Sequence, residues 1–127
     1  MINKAWIALY NCLFLVSSRY REIASLESPI FEIFEDLDTR LIVGLNDESL
    51  EIFLKEGWIN DGMRRELSQF RDFVNNIDSK YWNAEDFDHL EDWNLAREWA
   101  ITLMSKLGFK NKGWNSNGET IIYTQGD

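Results

Sequence analysis

AEDFDHLEDWNLAREWAITLMSKLG, residues 84–108, is the stretch that decides the fold, because it carries the strongest helical pattern in the chain. At about 100° per residue its apolar side chains cover more than half of the circumference, whereas a helix on the rim of a domain has a narrower apolar stripe. Lys106 in the last turn and Gly108 just beyond it mark the end. The pattern predicts one central helix with neighbours on two sides, facing them with Trp93, Ala96, Trp99, Ala100, Ile101, Leu103, Met104 and Leu107. Arg97 lies at the margin of this arc, where it is expected to pair with Glu66 or Asp72 or to point outward.

The N-terminal residues 2–26 predict a second long helix, since their apolar positions recur at helical spacing. A further apolar strip, formed by Ile7, Tyr10 and Phe14, lies beside the main face. This helix is therefore expected to be heavily buried or to carry an interface.

Shorter helices are predicted between these two. Ser28 followed by Pro29 is typical of a helix start. Residues 39–45 contain too few apolar positions to distinguish a helical extension from a short strand. The next two helices are predicted at 48–56, with Asn46 and Asp47 as caps and a stop at Gly57, and at 62–77, with Asp61 as cap.

After Gly108 the pattern changes, because residues 109–127 contain the turn dipeptide Asn117-Gly118 and a β-prone run at 120–124. We expect a short β-strand or an extended C-terminal tail there. Residues 1–127 therefore predict a single all-α domain, a bundle of four to five helices with that strand or tail as an appendage.

The excess of acidic over basic residues limits the kinds of partner that the chain is expected to bind. The sequence has 22 acidic and 13 basic residues, a net charge of −9. Binding to nucleic-acid phosphates requires clustered Lys and Arg, so no nucleic-acid partner is expected, and a basic protein is favoured.

A single cysteine, Cys12, cannot form an intramolecular disulfide. With no targeting segment and no apolar run long enough for a bilayer, the sequence predicts a cytoplasmic protein without a membrane partner.

His89, the only histidine, lies in the acidic block that begins the opening stretch. Helical spacing could place it beside Glu85, Asp88 and Asp92, as a metal site or as a general base tuned by carboxylates. The alternative is a solvated acidic helix start. No HExxH, phosphate-loop or GxSxG motif supports chemistry, so we predict no enzyme and no catalytic, cofactor-binding or metal residues.

The acidic residues fall into three dense clusters, which would form one negative face if they converge in space. Trp82 lies in a turn beside the third cluster, where it could anchor a partner or close the end of a helical bundle. The predicted partner-binding residues are Glu32, Glu35, Asp36, Asp38, Asp47, Glu48, Trp82, Glu85, Asp86, Asp88, His89 and Asp92.

The run from Glu66 to Gly108 contains the patterns ELxxFRxFV, YWNxEDF and DWNxARxWAxxLMxxLG. It resembles small, acidic, helical bacterial immunity proteins of the kind encoded beside contact-dependent growth inhibition and other polymorphic toxins. The resemblance implies a cytoplasmic protein that binds and neutralises one cognate toxin domain, often a nuclease. It implies no individual functional residues, because such proteins share none.

Two other hypotheses stay open beside this one. The first is a metal-binding protein or small enzyme that uses Glu85, Asp88, His89 and Asp92. The second is a self-associating helical module, a homo-oligomer whose seam is the strip of Ile7, Tyr10 and Phe14.

Overall fold

The computed structural model describes residues 3–20, 22 and 33–109, and within them the chain is helical, with no strand. This confirms the all-α bundle, whereas the expected strand or tail at 110–127 and the helix start at Ser28-Pro29 lie outside the described residues. No helix in this part of the chain is both long and apolar enough to cross a membrane. The elements are α1 (Lys4–Ser17), α2 (Ile33–Leu45), α3 (Asp47–Lys55), α4 (Asp61–Asn75), a 3-10 turn (Ser79–Tyr81), α5 (Ala84–His89) and α6 (Glu91–Leu107).

Helix α1 occupies the middle of the bundle, packing against both α2 and α6, and every residue from Ala8 to Val16 is buried. Helix α6 contacts α1, α4 and α5, so it has the predicted neighbours on at least two sides, but the middle position predicted for it is taken by α1. Tyr10 and Phe14 are buried within the chain, and Ile7 is half-buried. Those two rings are therefore not available for the seam that the self-association hypothesis requires.

The close approach of α1 and α2 depends on Gly44. A Cβ atom at this position would lie 2.5 Å from the backbone nitrogen of Leu9 and 2.9 Å from the carbonyl carbon of Ala8. The segment 39–45, for which helix and strand were both open, continues α2. Helical spacing places Leu41 and Leu45 on the same buried face as Gly44, so burial against α1 favours the helix.

Two helices are shorter than the sequence predicts. The helix expected over 2–26 ends at Ser17, because Ser18 is extended and the hydroxyls of both serines donate to the carbonyl of Phe14. The helix expected over 84–108 is interrupted at Leu90, which has φ −67° and ψ 137°. In an unbroken helix the carbonyl of Phe87 would accept a hydrogen bond from the backbone four residues later. It accepts instead from Arg97 Nη2, which joins α5 to α6.

The predicted caps are largely confirmed. Asn46 accepts from the backbone N–H of Ser49 and caps α3, and Gly57 follows α3 with φ +80°. The cap of α4 is Asn60, one residue before the predicted Asp61, and α4 ends at Asn75 rather than residue 77. Both Asn and Asp accept hydrogen bonds from N2 or N3, so sequence alone did not distinguish the two neighbours.

The predicted buried face of α6 is correct at most positions, but Ile101 is 53% exposed and Trp99 is only half-buried. The expectation for Arg97 is wrong, because this side chain is only 6% exposed and pairs with neither suggested carboxylate. It donates to the carbonyl oxygens of Ser18 and Phe87 and to Asn94 Oδ1. Burial, with a further contribution from nearby Arg19, lowers the pKa of Arg97. Glu66 accepts instead from Trp99 Nε1 and Lys106 Nζ.

Candidate functional site

An open cleft of about 650 Å³ lies between the start of α2 and the end of α4. It contains three of the predicted partner-binding residues, Glu35, Asp38 and Trp82. We call it the acidic–aromatic cleft, and its lining consists of Phe34, Glu35, Asp38, Asn75, Asn76, Ile77, Asp78, Ser79 and Trp82.

The charged side chains that line the cleft are all acidic. Glu35 and Asp38 are exposed on α2, and Asp78 faces them from the segment after α4. None of the described residues that line the cleft is basic. The C-terminal end of α4 also contributes, since its last turn contains no basic residue and a helix C-terminus carries partial negative charge. The site is therefore arranged to attract a cation.

The aromatic residues of the cleft pack against other rings of the bundle, and Trp82 also donates a hydrogen bond to the backbone. Trp82 is half-buried, its Nε1 donates to the carbonyl of Ile77 at 2.9 Å, and its ring centroid lies 5.4 Å from that of Trp93. The ring centroid of Phe34 lies 6.4 Å from that of Trp82 and 5.8 Å from that of Phe87. Trp82 thus closes one end of the bundle and lines the cleft at once, so the two alternatives for this residue are compatible.

Several predicted residues lie outside the cleft and contribute to the fold. Asp36 pairs with Arg40 at 3.7 Å, and burial raises the pKa of Asp36 although Arg40 opposes the shift. Asp47 accepts from Arg71 at 2.8 Å, and this hydrogen bond lowers the pKa of Asp47. Arg71 also donates to the carbonyl of Leu45, so it ties the junction of α2 and α3 to α4. Glu48 is exposed near Asp47, and Glu32 lies outside the described residues.

The acidic block around His89 does not form the expected cluster. Because the helix is interrupted at Leu90, Asp88 and Asp92 do not share one helical face. Asp88 accepts from the backbone N–H of Tyr20 at 2.7 Å, and its own carbonyl accepts from Arg19. In the parts of the chain that the structure describes, no three His, Cys, Asp or Glu residues are grouped to hold a metal ion.

The remaining members of that block are on the surface or engaged locally. Asp86 accepts from the side-chain amide of Asn83, which in turn caps α5. Glu85, His89 and Asp92 are exposed. Of the acidic residues in the three clusters, only Glu35 and Asp38 line the cleft, together with Asp78.

Six residues that line the cleft were missed by sequence reasoning: Phe34, Asn75, Asn76, Ile77, Asp78 and Ser79. Five of them, residues 75–79, lie at or just after the end of α4. The only available signal was that the last turn of this helix contains no Lys or Arg to oppose the partial negative charge of a helix C-terminus.

Comparison of the chain with protein-family models, with curated proteins and with solved structures gives no significant match.

Proposed function

We propose that this chain is an immunity protein that binds a cognate bacterial toxin domain with a basic surface, such as a nuclease, and neutralises it. The observation that carries the proposal is the acidic–aromatic cleft, which is lined by Glu35, Asp38 and Asp78 together with the rings of Phe34 and Trp82. The resemblance of residues 66–108 to small acidic immunity proteins agrees with it.

The cleft combines the two components of a tight protein interface. Exposed carboxylates on a chain of net charge −9 accelerate the encounter with a basic partner. A tryptophan already fixed in place supplies apolar contact area without the cost of ordering a side chain.

The surface of α2 extends this interface beyond the cleft. Ile42 lies four residues after Asp38 and seven after Glu35, so the three share one side of the helix. Ile42 is 61% exposed, and its neighbour Val43 is exposed as well. The cleft with this apolar extension resembles the mixed composition of interfaces between independently folded proteins.

The mechanism that follows is occlusion. A nuclease binds phosphates through a cationic groove. Carboxylates presented by the immunity protein would occupy that groove and exclude the nucleic acid. This mechanism needs no catalytic residue on the chain, and it places the action in the cytoplasm, where the toxin meets its substrate.

The test is a calorimetric titration with the C-terminal domain of the protein encoded by the adjacent upstream gene. We expect a 1:1 complex with a Kd on the order of 10 nM or tighter, and protection of cells that express both proteins. An unrelated basic protein of similar charge serves as the control and should bind far more weakly. The proposal is wrong if the upstream product is unrelated to toxins or shows no measurable binding.

A further inference from the structure

We propose that the acidic–aromatic cleft recognises an arginine side chain from the partner protein. This inference rests on the proposed function and names the chemistry that the site would bind. Two features of the cleft lead to it: its negatively charged hydrogen-bond acceptors and its aromatic rings.

The acceptors match a guanidinium group, which has five N–H donors and no acceptor. Glu35 and Asp38 on α2 provide carboxylate oxygens, and Asp78 provides one further oxygen, since its Oδ1 already accepts from the backbone N–H of Lys80 at 3.0 Å. Asn75 and Asn76 add amide groups at the C-terminal end of α4, where the partial negative charge of the helix also favours a cation. Acceptors are thus available from two sides of the cleft.

The rings provide a surface against which a planar cation can stack. Phe34 and Trp82 are both half-buried and line the cleft. Phe34 stacks on Tyr20, with ring centroids 6.1 Å apart and an angle of 12° between the rings, so we take Trp82 as the ring against which the cation stacks. Guanidinium groups stack on aromatic faces, with tryptophan the strongest partner. The chain already contains such a contact, because the guanidinium carbon of Arg97 lies 5.2 Å from the ring centroid of Phe87.

The geometry favours arginine over lysine. An ammonium group is a compact, strongly hydrated charge that benefits less from stacking and from acceptors spread over two walls. The cleft of about 650 Å³ also has room for the residues that flank the arginine in the partner. We therefore assign the occupant as one arginine on an exposed loop of the partner, with neighbouring residues contacting exposed Ile42 further along α2.

A short peptide tests this assignment without the partner. The probe is acetyl-Gly-Arg-Gly-amide, titrated into the full chain while the indole N–H resonance of Trp82 is followed by NMR. The chain has six tryptophans, so the resonance is assigned with Trp82→Phe. We expect a saturable shift with a dissociation constant on the order of 1–10 mM, because one exposed cation–π contact with hydrogen bonds is weak.

Two peptides of the same length control for the side chain. The citrulline counterpart has the shape of arginine without its charge and should bind at least about tenfold more weakly. The lysine counterpart retains the charge and should also bind more weakly. Equal binding of the lysine peptide would show that the cleft responds to charge alone, and equal binding of the citrulline peptide, or no saturation by arginine, would overturn the site.

Two double variants with the same change in net charge test whether the arginine peptide binds in the cleft. Glu35→Gln with Asp38→Asn should weaken arginine-peptide binding about tenfold or more. Glu56→Gln with Glu98→Gln changes the net charge equally at exposed positions outside the cleft and should leave binding within about twofold. A circular dichroism melt of each variant verifies that it is folded. Equal losses in the two variants would contradict the assignment.

The peptide experiment and the toxin titration fail separately. If the toxin domain binds the chain and the arginine peptide does not, the arginine assignment is wrong and the immunity function stands. If the peptide binds in the cleft and the upstream product does not bind the chain, the proposed function is wrong and the arginine site stands.

Discussion

Replacing Gly44 with alanine should lower the free energy of unfolding by at least about 2 kcal/mol, toward the upper part of the range for overpacked cores. The added Cβ would lie 2.5 Å from the backbone nitrogen of Leu9 and 2.9 Å from its Cα. Those atoms belong to the backbone of α1 and cannot rotate away, so the two helices must separate. The loss should appear even though alanine is the better helix former by about 1 kcal/mol.

The measurement is urea denaturation of the variant beside Gly62→Ala. Gly62 lies in the first turn of α4, where a Cβ would meet only the side-chain oxygen of Asn60, at an ordinary 3.5 Å. This control should be neutral or more stable by up to about 1 kcal/mol, since alanine restricts the unfolded chain. If Gly44→Ala proves as stable as the wild type, the close crossing of α1 and α2 is incorrect.

Replacing Arg97 with methionine should cost about 3 kcal/mol, because it removes a buried set of hydrogen bonds while leaving the acceptors in place. The carbonyl oxygens of Ser18 and Phe87 would lose the donors that they have in the folded chain. Methionine retains much of the length of the side chain, so the loss reports mainly on the unsatisfied carbonyls rather than on a cavity.

Arg65→Met is the matched control for this experiment, because Arg65 is exposed on α4. It should change the free energy of unfolding by no more than about 0.5 kcal/mol in the same denaturation series. A similar small effect at Arg97 would contradict the view that this residue ties the end of α1 and the end of α5 to α6.

Sequence reasoning succeeded where the determinants are local. Asn46 and Gly108 mark helix ends by their own side-chain and backbone chemistry, and both were predicted. Helical periodicity likewise identified Trp93 and Leu103 as buried, since a face that recurs at helical spacing is visible without any tertiary information.

Sequence reasoning failed where contacts between residues far apart in the sequence determine where a helix ends. The end of α1 and the interruption at Leu90 are joined by Arg97, which reaches a carbonyl 79 positions away in the sequence. No local pattern reports such a contact, and propensity alone favours continuous helices there. Arg97 itself was expected near the surface, because a buried arginine becomes favourable only when the fold supplies its acceptors.

The candidate site was predictable only in part, because it too depends on contacts between residues far apart in the sequence. Glu35 and Asp38 were selected by charge, and the fold brings them together with Trp82. Charge could not distinguish them from Asp47 and Asp88, which are engaged by Arg71 and by the backbone of Tyr20. The difference depends on where the cations and free N–H groups of the fold lie, and that is known only from the structure.

The central claim is that the acidic–aromatic cleft is the surface that binds the toxin, and a calorimetric comparison of the two charge-matched double variants with the cognate toxin domain tests it most directly. Glu35→Gln with Asp38→Asn should weaken binding about 100-fold, because it would leave a buried cation of the partner unpaired, whereas Glu56→Gln with Glu98→Gln should change it less than about threefold. Equal weakening by both variants, or none by the cleft variant, would contradict the account.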